Sequence, residues 1–238
     1  MNDLFLQGLR IDWDSIPVCS YVNRISAIKS ITHIDFDKDV TFFVGENGTG
    51  KSTLLEAIAV EYGYNAEGGT RNYNFSTYDD ISDLSDAITL VKGWKRTKFG
   101  CFFRAETFFN VATASLVEYD GLAHKADYHS NSHGEGNIKF LFFDKPGLYL
   151  LDEPEAALSP QKQLALLKHI YDMSKNGSQF VIATHSPILM SCPDAEILSF
   201  DNGTVMPCKY EETLSYQITR RFLCNKEKML NELLGTVL

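Results

Sequence analysis

Gly45-Glu46-Asn47-Gly48-Thr49-Gly50-Lys51-Ser52 is a complete G-x-x-x-x-G-K-[ST] string, and its flanks are those that phosphate chemistry needs. The preceding residues 40–44, Val-Thr-Phe-Phe-Val, predict a short buried strand, and the following residues 53–59, Thr-Leu-Leu-Glu-Ala-Ile-Ala, have helical spacing. Glycine lets the loop take positive φ and wrap closely, so that successive N–H groups and a helix N-terminus converge on an anion. Asn47, Gly48, Thr49, Gly50, Lys51, Ser52 and Thr53 are therefore the candidate triphosphate-binding residues. Lys51 brings a positive charge to the β- and γ-phosphates, and Ser52 offers a hydroxyl oxygen to Mg²⁺, a hard cation that needs few protein ligands when phosphates supply the rest.

Two further groups follow buried-strand patterns. Leu150-Leu151-Asp152-Glu153-Pro154 places two carboxylates where an apolar strand ends, the edge of a parallel sheet at which a phosphate loop also lies. There Asp152 can hold Mg²⁺, and Glu153 can orient and deprotonate a water attacking the γ-phosphate. In Thr184-His185-Ser186-Pro187, after the next apolar run, His185 is placed to reach the γ-phosphate or the lytic water.

The elements that must position these groups alternate. Residues 24–28 and 33–36 read as short strands leading to the loop strand, residues 61–80 as a Gly-, Asn-, Tyr- and Thr-rich loop, and residues 83–91 as a strand or a short helix. Residues 147–151 and 179–184 read as buried strands. Between them Ser159-Pro160 caps a helix whose apolar face is Leu164, Leu167, Ile170 and Tyr171, ended by Gly177. Asp201-Asn202-Gly203 is a hairpin turn between residues 196–200 and 204–206, and residues 212–223 form a closing helix. Strands alternating with helices imply an α/β fold with a mainly parallel sheet.

With 238 residues and 44% hydrophobic content, the chain can bury one sizeable core, and a single domain over residues 1–238 is expected. Residues 1–60 and 140–238 form its nucleotide-binding core and about 61–139 an insertion. No apolar run approaches the roughly 20 residues that span a bilayer, and the start has no basic region before its apolar patch, so a soluble, cytoplasmic protein is expected. Five scattered cysteines without a C-x-x-C pair indicate neither a disulfide framework nor a zinc site. A net charge of −9 opposes a protein that coats nucleic acid by itself. Locally, Lys92-Gly93-Trp94-Lys95-Arg96-Thr97-Lys98 and the looser group Arg220, Arg221, Lys226 and Lys228 are either phosphate-contacting patches or solvated surface.

The ordered set resembles the ABC-type ATPases. Residues 45–52 are similar to their Walker A loop, residues 148–153 to Walker B with its catalytic glutamate, residues 155–159 to the D-loop, and His185 to the switch histidine. Asn131-Ser132-His133-Gly134-Glu135-Gly136 resembles the signature usually written L-S-G-G-Q, with Ser132 and Gly134 matching and His133 and Glu135 departing. The strings at residues 44–59, 102–106, 132–135 and 151–160 are most similar to small predicted ATPases on the RecF-like, chromosome-maintenance side of that class, often called AAA-family ATPases. The resemblance implies a P-loop ATPase head with an N-terminal antiparallel β portion and a small signature-bearing subdomain. It implies ATP and Mg²⁺ as ligands and a head-to-tail homodimer, in which Ser132 and Gly134 meet the partner's γ-phosphate.

One departure concerns the work done. Transporter subunits usually carry a glutamine between Walker A and signature, and residues 53–131 contain none. Glu106, in Phe102-Phe103-Arg104-Ala105-Glu106, stands in the comparable place as a candidate metal-side ligand or a salt-bridge partner of Arg104. The gap from Ser52 to Ser132 is too short for a long coiled-coil arm. The expected function is an ATP-hydrolysing dimer linked to DNA repair, mobile-element or defence processes, with DNA or an effector protein as partner. The alternatives are a transporter's nucleotide-binding subunit and a nucleotide-gated module with negligible turnover.

Overall fold

The computed structural model describes residues 3–66, 68–69, 82–96, 99–105, 145–156 and 158–235. Strand β1 (Leu6–Ile11) alternates imperfectly between buried and exposed positions, as a strand between two neighbours and a core does. A 3₁₀ turn over Tyr21–Arg24 and the short helix α1 (Ser26–Lys29) then occupy the region where residues 24–28 predict a strand. Packing overrides β propensity here. Spaced three apart, Ile25 and Ile28 share one face beneath the glycine loop, so close that a Cβ on Gly50 would come within 2.6 Å of Ile28 and 2.8 Å of Ile25. Gly50 also has φ +98°, so both space and backbone exclude a side chain there.

Strand β2 (His33–Asp35) leads, as expected, toward β3 (Val40–Val44), and β3 feeds α2 (Lys51–Tyr62) through the glycine loop. Residues 83–91 resolve into both options: helix α3 (Leu84–Ala87) runs directly into β4 (Ile88–Lys92). Strands β2, β1 and β4 form an antiparallel sheet in that order, with Leu9 opposite both Ile34 and Leu90.

The second sheet follows from strands buried on both faces. It contains β5 (Gly100–Arg104), β6 (Leu148–Asp152), β7 (Gln179–Ala183), β8 (Glu196–Ser199) and β9 (Met206–Pro207), in the order β5-β6-β7-β3-β8-β9. All but the edge strand β9 run parallel. Every position of β3, β6 and β7 is buried, the pattern of parallel strands covered on both sides. Phe43, Leu150 and Val181 point into a core shared with α2 and the antiparallel sheet. Phe42, Leu151 and Ile182 point to the opposite core, packed against α4 (Pro160–Lys175) and α5 (Pro187–Met190). Each such side chain contributes about 1.5–3 kcal/mol through burial.

Helix α4 starts as expected, with the Ser159 hydroxyl accepting from the Lys162 N–H and Pro160 in the first turn. Its buried stripe is Leu166, Ile170 and Met173, whereas Leu164, expected on the core face, is 56% exposed. Leu164 and Leu166 lie about 200° apart around the helix, so only one can face the sheet. The closing helix expected over residues 212–223 is α6 (Leu214–Cys224), and a further helix, α7 (Lys226–Leu234), follows it after Asn225. The basic stretch of residues 92–96 is locally engaged. Lys92 donates to the Glu61 carbonyl, Lys95 pairs with Asp3 at 2.8 Å, and the exposed Trp94 donates to the same carboxylate. Arg221 pairs with Glu232 across the α6–α7 bend. No described helix is long and apolar enough to cross a membrane.

Gln179 joins the two sheets. Its Oε1 accepts from the Leu6 N–H at 2.8 Å and its Nε2 donates to the Leu6 carbonyl at 2.7 Å, with Gln179 1% exposed. Gln179→Leu keeps the bulk but strips two buried backbone groups of their partner, and is expected to lower stability by about 2–4 kcal/mol. Urea unfolding measures this, and an unchanged midpoint would show that water replaces the amide.

Candidate active site

The glycine loop is built around its own lysine. Lys51 opens α2, is 4% exposed, and its Nζ donates to the carbonyls of Gly45 at 2.7 Å and Glu46 at 2.9 Å. Burial pulls the Lys51 ammonium below the ordinary lysine range, while the carboxylates of Glu153, Asp152, Asp201 and Glu46 favour its charged form. The crown of the loop, Glu46, Asn47 and Gly48, is exposed, and Thr53 lies partly exposed in the first turn of α2. Asp201, which the sequence presents only as a turn residue, holds the loop from the side. Its Oδ1 accepts from the Glu46 N–H at 3.0 Å, and Ser199 braces its other oxygen at 3.1 Å.

Asp152 ends β6 beside this loop. The Ser52 hydroxyl donates to Asp152 Oδ1 at 2.8 Å, closing a contact between residues 100 positions apart. On the other side of the carboxylate, Arg104 Nε lies 3.7 Å from Oδ2, and Arg104 Nη1 donates to Glu56 Oε2 of α2 at 2.5 Å. A hydroxyl and a carboxylate held together at a sheet edge are hard oxygen donors of the kind Mg²⁺ takes. Among the described residues no group of three His, Cys, Asp or Glu side chains forms a separate metal cluster.

Glu153 stands one residue further on with φ +48°, a left-handed backbone unusual for a residue with a side chain. Its N–H donates to the Ala183 carbonyl at 2.9 Å, which anchors the turn to β7. Its Oε1 lies 3.8 Å from His185 Nε2, too far for a hydrogen bond, and His185 Nε2 has no hydrogen-bond partner in the structure. The histidine's backbone is held instead. Glu155 Oε1 accepts from both the His185 N–H and the Thr184 hydroxyl at 2.7 Å, and the Ser186 hydroxyl donates to Gln163 of α4 at 2.6 Å. The loop after β6 and the loop after β7 are therefore latched together below two side chains that remain half-exposed.

Residues 22–97 match the family model described as "AAA domain", and residues 138–191 match one described as "AAA domain, putative AbiEii toxin, Type IV TA system". The cell division ATP-binding protein FtsE of Bacillus subtilis is 21% identical over 216 residues, covering 79% of this chain and 91% of that protein. These matches support an ATPase of the ABC/AAA class. Endonuclease GajA of Bacillus cereus is 22% identical over 198 residues, covering 74% of this chain but 33% of GajA. The structure of cbiO1 from Clostridium perfringens, described as part of the ABC transporter complex cbiONQ, shares the fold. It has a TM-score of 0.50 and 18% identity, covering 97% of this chain and 100% of that one.

The similarity to ATP-binding relatives supports ATP hydrolysis, and the structure brings Asn47 to Thr53, Asp152, Glu153 and His185 to one edge of the parallel sheet. A cavity of about 310 Å³ opens there between Glu46, Asn47 and His185 on one side and Ser215 and Ile218 of α6 on the other. Glu106, Ser132 and Gly134 lie outside the described residues. Sequence reading missed the roles of Asp201, of Gln163 and of the Glu56–Arg104 pair. Glu155 falls in the stretch that resembles the D-loop, but its hold on residues 184 and 185 is legible only in three dimensions.

Proposed function

We propose that the chain binds ATP on the loop of residues 45–52 and hydrolyses it with Glu153 as general base, in an ATP-driven head-to-tail homodimer linked to DNA repair, mobile-element or defence processes. The observation that carries the chemistry is the Ser52–Asp152 contact at 2.8 Å, which joins the phosphate loop to the acidic strand end. On ATP binding, Lys51 Nζ exchanges the Gly45 and Glu46 carbonyls for β- and γ-phosphate oxygens, while loop N–H groups cradle the remainder. Ser52 and Asp152 would hold Mg²⁺, which neutralises phosphate charge when bound. Water then attacks the γ-phosphorus and gives its proton to Glu153, and the bond from that phosphorus to the β,γ-bridging oxygen breaks to leave ADP and phosphate. His185 Nε2, free of other partners, donates to the γ-phosphate. Ser132 and Gly134 of a second copy complete the site, and Glu106 is a further metal-side candidate.

The process is supported by the similarity to an endonuclease, GajA, and by the absence of glutamine from residues 53–131. The match to cbiO1 along nearly the whole chain favours the second reading, a nucleotide-binding subunit of a transporter. ATP hydrolysis measured over a protein concentration series, with and without double- and single-stranded DNA, separates them. The dimeric, DNA-linked reading expects a second-order rise in rate and stimulation by DNA. First-order dependence would remove the dimer, and indifference to DNA would favour the transporter subunit. Tight ATP binding without turnover would instead leave a nucleotide-gated module.

A further inference from the structure

We infer that Asp201 is a positioning residue for the phosphate-loop lysine, acting through the peptide bond between Gly45 and Glu46. The inference rests on reading Lys51 as a ligand of the β- and γ-phosphates. Asp201 Oδ1 accepts from the Glu46 N–H at 3.0 Å, and the Gly45 carbonyl, on the other side of the same peptide plane, accepts from Lys51 Nζ at 2.7 Å. In a trans peptide these two groups point in opposite directions, so gripping the N–H fixes where the carbonyl aims. The Glu46 carbonyl is held next, accepting from Lys51 Nζ at 2.9 Å and from the Thr49 hydroxyl at 2.8 Å. A carboxylate, a peptide and an ammonium thus form one chain of hydrogen bonds in which each bond polarises the next.

The carboxylate is itself fixed from another part of the fold. Asp201 follows β8, whose Ser199 hydroxyl accepts from the Asp201 N–H at 3.2 Å and donates to Oδ2 at 3.1 Å. Behind it the turn rests against α1: a Cβ on Gly203 would lie 3.2 Å from Ser26 Cβ, and the Val205 N–H donates to the Ser30 hydroxyl at 3.2 Å. Because α1 also carries Ile28 beneath Gly50, the same short helix sets the distance between Asp201 and the far end of the loop. On the loop side the approach requires glycine. Gly45 has φ +143°, and a Cβ there would stand 3.1 Å from Asp201 Oδ1. Four carboxylates, Glu153, Asp152, Asp201 and Glu46, favour the charged Lys51 against burial, so losing the charge of Asp201 leaves three. What distinguishes Asp201 among them is the acceptor that orients the peptide.

The test compares wild type with Asp201→Asn and Asp201→Ala in the full chain. Asparagine keeps an oxygen for the Glu46 N–H, and its amide can donate to the Ser199 hydroxyl; alanine removes the acceptor. Calorimetric titration with a non-hydrolysable ATP analogue is expected to show about ten-fold weaker binding for Asp201→Ala, the lower end for losing a hydrogen bond to a charged group, and Asp201→Asn within about three-fold of wild type. Before nucleotide is added, nitrogen-edited proton NMR reads the Lys51 ammonium, identified by the loss of its signal in Lys51→Met. Its hydrogen exchange with water is expected to quicken in Asp201→Ala and to stay at the wild-type rate in Asp201→Asn. A general loss of fold stability would move the unfolding temperature without this selective change at one ammonium. The inference falls if Asp201→Ala binds the analogue as wild type does, if Asp201→Asn is as weak as Asp201→Ala, or if the ammonium exchanges equally fast in all three. If wild type does not bind the analogue, the phosphate-ligand reading of Lys51 falls, while ammonium exchange still reports whether Asp201 positions it.

Discussion

Replacing Glu153 with glutamine lowers the ATP hydrolysis rate by roughly 10²–10⁴-fold while ATP still binds, the range expected when a positioned general base is removed. The geometry makes this the largest effect on turnover. Glu153 is held in a left-handed backbone at φ +48°, a conformation that costs about 1–3 kcal/mol and persists only when its surroundings enforce it. The hydrogen bond from its N–H to Ala183 enforces it here and lifts the carboxylate to the loop mouth beside His185. The Glu153 side chain is 43% exposed and makes no close ion pair within the fold, so the substitution should leave unfolding temperature nearly unchanged. Phosphate release in single-turnover experiments, paired with binding of a fluorescent ATP analogue, checks both halves. A variant that turns over at the wild-type rate would transfer the proton-accepting role to another group.

Lys51→Met should weaken ATP binding by about 2–5 kcal/mol, roughly 30- to 5,000-fold, the effect of deleting one partner from a hydrogen-bonded charge pair. Lys51 Nζ donates to the Gly45 and Glu46 carbonyls, so its ammonium is held inside the loop and not out in solvent. Four surrounding carboxylates keep it charged against the effect of burial. Methionine preserves the stem's packing but supplies no donor, leaving two carbonyls at the exposed crown to water. Isothermal titration with ATP reads the loss, and an affinity within a few-fold of wild type would mean that backbone N–H groups, with the metal, carry triphosphate binding.

The placement of the proposed site was legible in the sequence because each of its groups depends on short-range order. A strand of Val, Thr and Phe, a glycine turn and an apolar helical repeat together dictate where residues 45–52 sit, and an apolar strand ending in Asp152-Glu153 dictates where those carboxylates emerge. The same local logic placed His185 after β7 and started α4 at Ser159-Pro160. Tertiary structure decided everything that depends on who lies opposite. Residues 25–28 turn into a helix start, not a strand, where the loop at Gly50 packs on Ile25 and Ile28. Leu166 displaced Leu164 because only one side of α4 meets the sheet. Asp201 became a brace for the loop, Glu155 a latch under His185, and Arg104 a partner of Glu56 and Asp152, through contacts spanning 155, 30 and 48 positions of chain. Such pairs leave no periodicity along the sequence. Strand order and register, set by burial of both sheet faces, alone bring them within hydrogen-bonding distance.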